Sequence, residues 1–427
     1  MAISATVRRG RWRLLSVGVV ATLALSACGG SGSGSSSGAK KITFWYSTSA
    51  QDQGYTDLAK DFLAKTGISV EIVNIPNDGY QDKLKQAAQA NSLPDAASVP
   101  SLDNIWVNQL QDLSSIANNA TNKINKTLIT AKDGKVLAIP SDVTAAGLFI
   151  NKSLFDKAKV TYPTDPSKTW TWDEFLAAAD KVRTATKAKY DLVYDNSPAR
   201  IRAWIYTHGG KGFQLSGDKF AAPDATTVQA LTSFAKLNND VIMPKSVWTS
   251  GADPNALFKS GQVVAYFSGV WQVADFADSI TSFEWASAPT PAQPVHATDI
   301  NLGGKVVAFN NGDKAAAAKQ WVDFLFQRDN YTKLAEANGY LPIEQGMTLT
   351  YPFTKKAALD SFALYTKEMD LADPISASGQ ANQTTLLLDG KATSEDPTKA
   401  EMAKLINGQQ DTQKTVDNIV SGLNAGL

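Results

Sequence analysis

Residues 41–90, KITFWYSTSAQDQGYTDLAKDFLAKTGISVEIVNIPNDGYQDKLKQAAQA, decide the fold class. Lys41-Ile42-Thr43-Phe44-Trp45 reads as a buried strand. Tyr55 to Lys65 sets Leu58, Phe62 and Leu63 on one helical face. Ile68 to Ile75 returns to a period of two through Ile68, Val70 and Ile72, and Tyr80 to Ala90 turns Tyr80, Leu84, Ala87 and Ala88 to one side. Strand, helix, strand, helix in this order implies parallel pairing, with helices on both faces of a sheet. Leu93-Pro94-Asp95-Ala96-Ala97-Ser98 then reads as a short strand opening into a loop at the sheet's carboxyl edge, where open α/β sheets gather ligands.

Downstream, Lys135–Pro140 and Gly147–Asn151 predict two strands around an irregular stretch that holds Asp142. Thr171 followed by Glu174 forms a capping box, after which Phe175, Leu176, Ala179 and Val182 continue an apolar helical face. Helical periodicity is also legible at Asp224–Asn238, Lys314–Gln327, Thr354–Met369 and Pro397–Leu423. No internal repeat is visible.

Upstream, residues 29–39 (GGSGSGSSSGA) are a Gly/Ser tether whose coil spans about 20 Å. Before it, Arg8, Arg9, Arg11 and Arg13 precede an apolar run from Leu14 to Ala27. That run suits a secretory signal and is too short to cross a hydrocarbon core of about 30 Å. Leu25-Ser26-Ala27-Cys28 resembles the lipobox of bacterial lipoproteins, in which the chain is cut before an acylated cysteine. Cys28 is the single cysteine of the 427 residues. Residues 1–27 are therefore expected to be a signal peptide, residues 28–39 a lipidated cysteine and linker, and the protein to sit lipid-anchored on the extracytoplasmic face of the cell membrane.

Loss of residues 1–27 removes four arginines and no acid, leaving 37 basic against 41 acidic residues, a formal charge of −4. Such a surface offers no footprint for nucleic acid. With Cys28 lipidated no disulfide remains, so stability must come from a core that the remaining 400 residues can build as two lobes. Two histidines, His208 and His296, with no HExxH or Cys/His cluster, supply no zinc site, and no P-loop is present, so neither metal nor cofactor is expected. Gly34-Ser35-Ser36-Ser37-Gly38 fits GxSxG but lies in the tether with no strand before it, so it carries no nucleophile.

Phe258-Lys-Ser-Gly-Gln-Val-Val-Ala-Tyr-Phe-Ser-Gly-Val-Trp271 resembles the F..GK.AM...G.W signature of bacterial extracellular solute-binding proteins of the sugar-binding kind, to which the maltose-binding proteins belong. Gln262 stands for the usual lysine and Tyr266 for the usual methionine. Leu93-Pro94-Asp95, Ile139-Pro140-Ser141-Asp142, Ile150-Asn151-Lys152-Ser153-Leu154-Phe155 and Lys168-Thr169-Trp170-Thr171-Trp172-Asp173-Glu174-Phe175 agree in the family's order. So do Gly303-Gly304 and Asn338-Gly339-Tyr340-Leu341-Pro342. The resemblance implies an α/β, two-lobed periplasmic-binding-protein fold, each lobe a mostly parallel sheet flanked by helices, hinged about an interlobe cleft. It places residues 40–141 with 302–345 in an N-terminal lobe and 142–301 with 346–427 in a C-terminal lobe, with crossovers near Asp142, Asn301 to Gly304, and Glu344. The function implied is the substrate-binding component of an ABC importer. It captures a carbohydrate outside the membrane and delivers it to the permease's transmembrane subunits, as a monomer and without catalysis. A surface-anchored glycosidase and a binder of a non-sugar solute are the alternatives. A glycosidase needs two opposed carboxyls about 5 to 9 Å apart, and no motif here places such a pair.

A sugar presents apolar C–H faces that suit an aromatic ring, and hydroxyls that suit a carboxylate fork. Trp271, at the end of the signature, sits where the family places a stacking ring. Trp45 at a strand end, Trp248 in a turn, and Trp204 beside the His208-Gly209-Gly210 turn are further candidates, each with core packing as the alternative. Asp142 and Asp103 are candidate hydroxyl acceptors. Gly303 and Gly304 would admit close backbone approach, with a plain turn as the alternative, and Tyr340 is a cleft candidate with core packing as the alternative. Trp321, on an amphipathic helix, is expected in the core, and Trp170 and Trp172 are expected to staple the helix that Thr171 caps.

Overall fold

The computed structural model describes residues 39–47, 53–76, 79–119, 121, 123–125, 128–129, 131–292, 295, 300–344, 346–371, 384–389 and 396–427. Cys28, the leader and most of the tether lie outside them. Two five-stranded sheets organise the chain. Their strands in chain order are β1 (Lys41–Tyr46), β2 (Ser69–Asn74), β3 (Ala96–Val99), β4 (Ile139–Pro140), β5 (Val143–Asn151), β6 (Tyr190–Tyr194), β7 (Val263–Gly269), β8 (Trp285–Ala288), β9 (Ile300–Leu302) and β10 (Lys305–Ala308). The first sheet runs β2-β1-β3-β10-β4; the second runs β8-β5-β7-β6, with β9 also paired to β5.

The helices that matter for the site are α1 (Gln53–Thr66), α2 (Tyr80–Gln89), α3 (Trp172–Thr186), α4 (Pro198–Thr207), α5 (Ala225–Leu237), α6 (Gln272–Ser279), α7 (Ala315–Leu325), α8 (Arg328–Asn338), α9 (Lys356–Leu371), α10 (Thr398–Ile406) and α11 (Thr412–Ala425). The β1-α1-β2-α2-β3 run follows the expected order, with β1 parallel to both β2 and β3. Alternation along β1 separates two layers. Phe44 and Tyr46 meet Tyr55, with ring centroids 5.0 and 5.3 Å away, while Trp45 lies against the smaller core under α2. Trp321 is fully buried against Phe62, centroids 5.3 Å apart, as its helix predicts.

The pairing is more mixed than the sequence suggests. β1–β2, β1–β3 and β6–β7 are parallel, but β5 runs antiparallel to β7, β8 and β9, and β10 antiparallel to β3 and β4. The reason is connectivity. Each strand that follows a passage from one sheet to the other enters its new sheet from the shared edge, against the direction of the strands linked by helices. β5 is buried at all nine positions, as its unbroken apolar run requires of a strand covered on both faces. Thr171 caps α3: its side chain accepts from the Glu174 amide at 3.1 Å, and its amide donates to the Glu174 carboxylate at 2.8 Å. Trp172 is buried against Phe175, and Trp170 packs between Phe155 and Phe175.

The terminal stretch read as one helix over 397–423 is two. α10 ends at Ile406, Gly408 takes φ 72°, and Asp411 caps α11 by accepting from the Lys414 amide at 2.8 Å. Glycine supplies the left-handed conformation that a continuous helix forbids. α9 packs on β8 and α11 on α5, placing these helices with the second sheet. Leu387 and Leu388 instead join the smaller core of the first sheet, with Tyr80, Leu84, Trp106 and Phe309.

Candidate functional site

The chain passes between the sheets in adjoining places. β4 closes the first sheet at Pro140, and β5 opens the second at Val143, so Ser141 and Asp142 form the link. The return runs through Gly303 and Gly304, between β9 and β10. A third contact follows α8, where the Val143 amide donates to the Leu341 carbonyl at 3.1 Å. The links are tied to each other. The Gly303 amide donates to the Asp142 carbonyl at 2.9 Å, and the Ser141 amide to the Gly304 carbonyl at 2.6 Å. The Asp142 carboxylate accepts from the Ser141 hydroxyl at 2.7 Å and from the Gly304 amide at 3.1 Å. Tyr331, on α8, donates to the Ser141 carbonyl at 2.9 Å. The Tyr55 hydroxyl faces Ser98, Tyr340 and Ser141, and Asn338 accepts from the Gly54 amide at 3.0 Å.

Of the candidates, Asp142, Gly303, Gly304 and Tyr340 thus come together. Burial pushes the Asp142 carboxyl up, against the pull of Ser141, the Gly304 amide and Lys305, and burial holds the Tyr340 phenol well above its usual range. Both glycines are required by close approach. A Cβ on Gly303 would lie 2.1 Å from an Asp142 carboxylate oxygen, and one on Gly304 would lie 2.2 Å from the Ser98 hydroxyl.

Lys305 stands behind this cluster, 3 % exposed. Its ammonium donates to the carbonyls of Pro100 at 2.9 Å, Leu302 at 3.2 Å and Gly303 at 3.3 Å. Burial lowers its pKa from 10.5 to about 8, opposed by Asp142. The folded pKa lies below the unfolded one, so between about pH 8 and 10.5 the unfolded chain carries the extra proton and stability rises with pH. The relief is about 3 kcal/mol across that window. Buried tyrosines such as Tyr340 act in the opposite sense near pH 10 but are common to both proteins, so urea unfolding should show wild-type stability rising relative to that of Lys305→Met across the window; equal slopes in the two would refute it.

The second cluster lies at the carboxyl edge of β6 and β7. Asp195, just past β6, accepts from the Tyr266 hydroxyl at 2.5 Å and from the Ser268 hydroxyl at 2.7 Å. Gln272 donates to both hydroxyls, at 3.2 and 3.3 Å. Burial raises the Asp195 pKa, with Tyr266, Arg200 and Ser268 opposing. Trp271, half-buried at the start of α6, has the Arg200 guanidinium carbon 4.9 Å from its ring centroid.

The other candidates lie apart from these two groups. Trp204 belongs to the core. It is 1 % exposed, donates to the Ala230 carbonyl at 2.8 Å, and packs against Trp172, Tyr194, His208 and Phe234. Its place on α4 faces it inward, which corrects the expectation of a cleft ring. Trp248, in a short helix, is also buried and edges onto Phe234 at 5.5 Å; its indole N–H finds no acceptor among the described residues. Trp45 is half-buried with the Lys83 ammonium 5.0 Å over its ring, on the face of β1 opposite Tyr55. Asp103 is buried in the loop after β3, where it accepts from the Ile105 amide at 2.9 Å; its other oxygen lies 3.9 Å from Lys85. His208 is structural, its ring nitrogen 2.7 Å from the Trp204 carbonyl. Asp195, Arg200, Tyr55 and Lys305 were not among the candidates. The carboxyl-edge rule applied to Tyr190–Tyr194 would have found Asp195.

Residues 57–361 match the family model of bacterial extracellular solute-binding proteins. The chain belongs to that family. Its relatives include the arabinooligosaccharide-binding protein of Bacillus subtilis, 23% identical over 332 residues that cover 70% of this chain and 76% of the relative. The diacetylchitobiose-binding protein of Streptomyces coelicolor is 24% identical over 399 residues, 88% of each chain. Among solved structures, an ABC substrate-binding protein of Listeria monocytogenes in complex with cycloalternan superposes with a TM-score of 0.74 at 22% identity, covering 91% of this chain and 98% of that one. Maltose-bound MalE3 of T. maritima gives 0.70 at 19%, covering 91% and 100%. The solute-binding chain therefore has the two-lobed α/β architecture of the maltose-binding-protein-like group. Among its described residues no helix is long and apolar enough to cross a membrane, and no group of three His, Cys, Asp or Glu side chains is set to hold a metal ion.

Proposed function

We propose that the chain is the solute-capturing component of an ATP-driven importer and that its solute is a sugar or oligosaccharide. The observation that carries this reading is Trp271: a half-buried indole just past β7 at the carboxyl edge of the second sheet, where the half-buried Asp195 carboxylate also lies. An aromatic plate beside polar acceptors is the pairing that a sugar's two kinds of surface demand. The relatives named for arabinooligosaccharide and diacetylchitobiose, and the structural neighbour holding cycloalternan, support the same class of ligand.

In this reading residues 40–141 with 302–345 move as one lobe and 142–301 with 346–427 as the other, with 384–389 reaching back to brace the first. Closure bends the links at Ser141-Asp142, Gly303-Gly304 and near Glu344, trapping the ligand for delivery to the permease. Cys28 carries the lipid that holds the protein on the extracytoplasmic face of the membrane, where it works as a monomer; a chain that takes up no labelled palmitate at Cys28 would refute the anchor.

The deciding experiment is a thermal-shift and calorimetric panel of maltotriose, arabinotriose, diacetylchitobiose and β-1,6-galactobiose on the protein from residue 29 onward. A ligand at one hundred times its Kd adds about 2.7 kcal/mol of stability. A shift with at least one of them, and saturable binding with no product, is the expected result. No shift with any of the four, or steady release of monosaccharide, overturns the reading.

A further inference from the structure

Arg200 is the third residue of α4 and only 4 % exposed. A cation in the first turn of a helix opposes the helix dipole, and burying it adds a desolvation cost. Its place needs a local cause, and the surroundings supply one on each side. Asp195 sits close enough that Arg200 lowers its pKa. That carboxylate is itself fixed by the hydroxyls of Tyr266 and Ser268. On the other side the guanidinium carbon stands 4.9 Å from the Trp271 ring centroid, within the range of a cation–π contact.

Trp271 is in turn seated by a missing side chain. A Cβ on Gly269 would fall 2.1 and 2.3 Å from the Cζ3 and Cη2 atoms of the indole, and 2.7 Å from the Ala145 carbonyl. The six-membered ring edge therefore rests on bare backbone, and Arg200 covers one ring face. The part of the indole that remains exposed has its orientation set before any ligand arrives. An indole free to rotate would have to be ordered on binding, a cost that preorganisation removes.

We propose that Arg200 is a positioning residue that plates one face of Trp271 so that a saccharide stacks on the remaining exposed surface. The inference rests on the carbohydrate reading above and adds to it a residue. A guanidinium suits the role because it is planar and keeps its charge, whereas a lysine ammonium offers no plane.

The test is a double-mutant cycle on the protein from residue 29 onward, read by calorimetry with the four neutral oligosaccharides and, at high sugar concentration, by NMR titration. Arg200→Met is expected to weaken the best-bound sugar about tenfold. Arg200→Lys should recover little of the loss, and Arg200→Gln guards against a fold defect peculiar to methionine. In a Trp271→Ala background Arg200→Met should cost nothing more, because its partner is gone. Undiminished binding by Arg200→Met and Arg200→Gln, or a full further loss in the Trp271→Ala background, would each overturn the inference. Failure of the wild-type protein to bind any sugar would instead overturn the carbohydrate reading itself.

Discussion

Trp271→Ala is expected to weaken carbohydrate binding about a hundredfold, with a much smaller effect on folding. Covering about 100 Å² of sugar face with the indole is worth about 2.5 kcal/mol at the usual coefficient for apolar burial, and an aromatic stacking geometry adds about 0.5 kcal/mol or more. Together these give about 3 kcal/mol, enough for the roughly 2.8 kcal/mol that two decades of affinity require. The stability cost is limited because the ring is half-buried, whereas Trp204 and Trp321 are enclosed on all sides. Truncating either of those would cost about 3 to 5 kcal/mol through the cavity left behind. Calorimetric titration of the best-bound panel sugar, alongside urea unfolding of the same variant, separates the two effects. Unchanged affinity in a folded Trp271→Ala protein would move the binding surface elsewhere.

The contrast between Trp271 and Trp204 shows how far sequence carries. Both follow or flank turns in α/β surroundings, and composition cannot distinguish them. What separates them is a tertiary fact. α4 turns Trp204 into the layer formed with Trp172 and Phe234, whereas the chain reversal after β7 leaves the Trp271 indole at a sheet edge. The alternating helices and strands of residues 41–90 were legible because amphipathic period survives without knowledge of partners. Strand direction after each inter-sheet link was not, since β5 and β10 take their sense from where the chain re-enters. The resemblance placed Asp142, Gly303 and Gly304 at crossovers and Tyr340 as a cleft candidate; that these residues adjoin is a tertiary fact. Lys305 escaped notice because an isolated lysine after two glycines gives no sign that three carbonyls will surround its ammonium. Arg200 escaped for the same reason: its partner Trp271 is distant in sequence and adjacent only through the pairing of β6 with β7.

Gly303→Ala should be strongly destabilising, lowering stability by about 2 to 6 kcal/mol. The added Cβ falls 2.1 and 2.2 Å from the two Asp142 carboxylate oxygens and 2.3 Å from their carbon. The carboxylate has nowhere cheap to go. It is buried, and one oxygen is held by both the Ser141 hydroxyl and the Gly304 amide. Overpacking of this kind costs about 1 to 3 kcal/mol, and displacing the carboxylate from its donors adds about 1 to 3 more. Gly304→Ala is the internal control. Its nearest neighbours are the hydroxyls of Ser98 and Ser141, at 2.2 and 2.9 Å, which can rotate away, so its loss should be clearly smaller. Adding Asp142→Ser to Gly303→Ala removes the colliding group, and the double variant should be more stable than the sum of its two single losses. Urea midpoints of wild type, the three single variants and the double variant decide the matter. A Gly303→Ala chain as stable as wild type would mean that the link between the sheets yields freely, and strictly additive losses would mean that Asp142 is not what the methyl group meets.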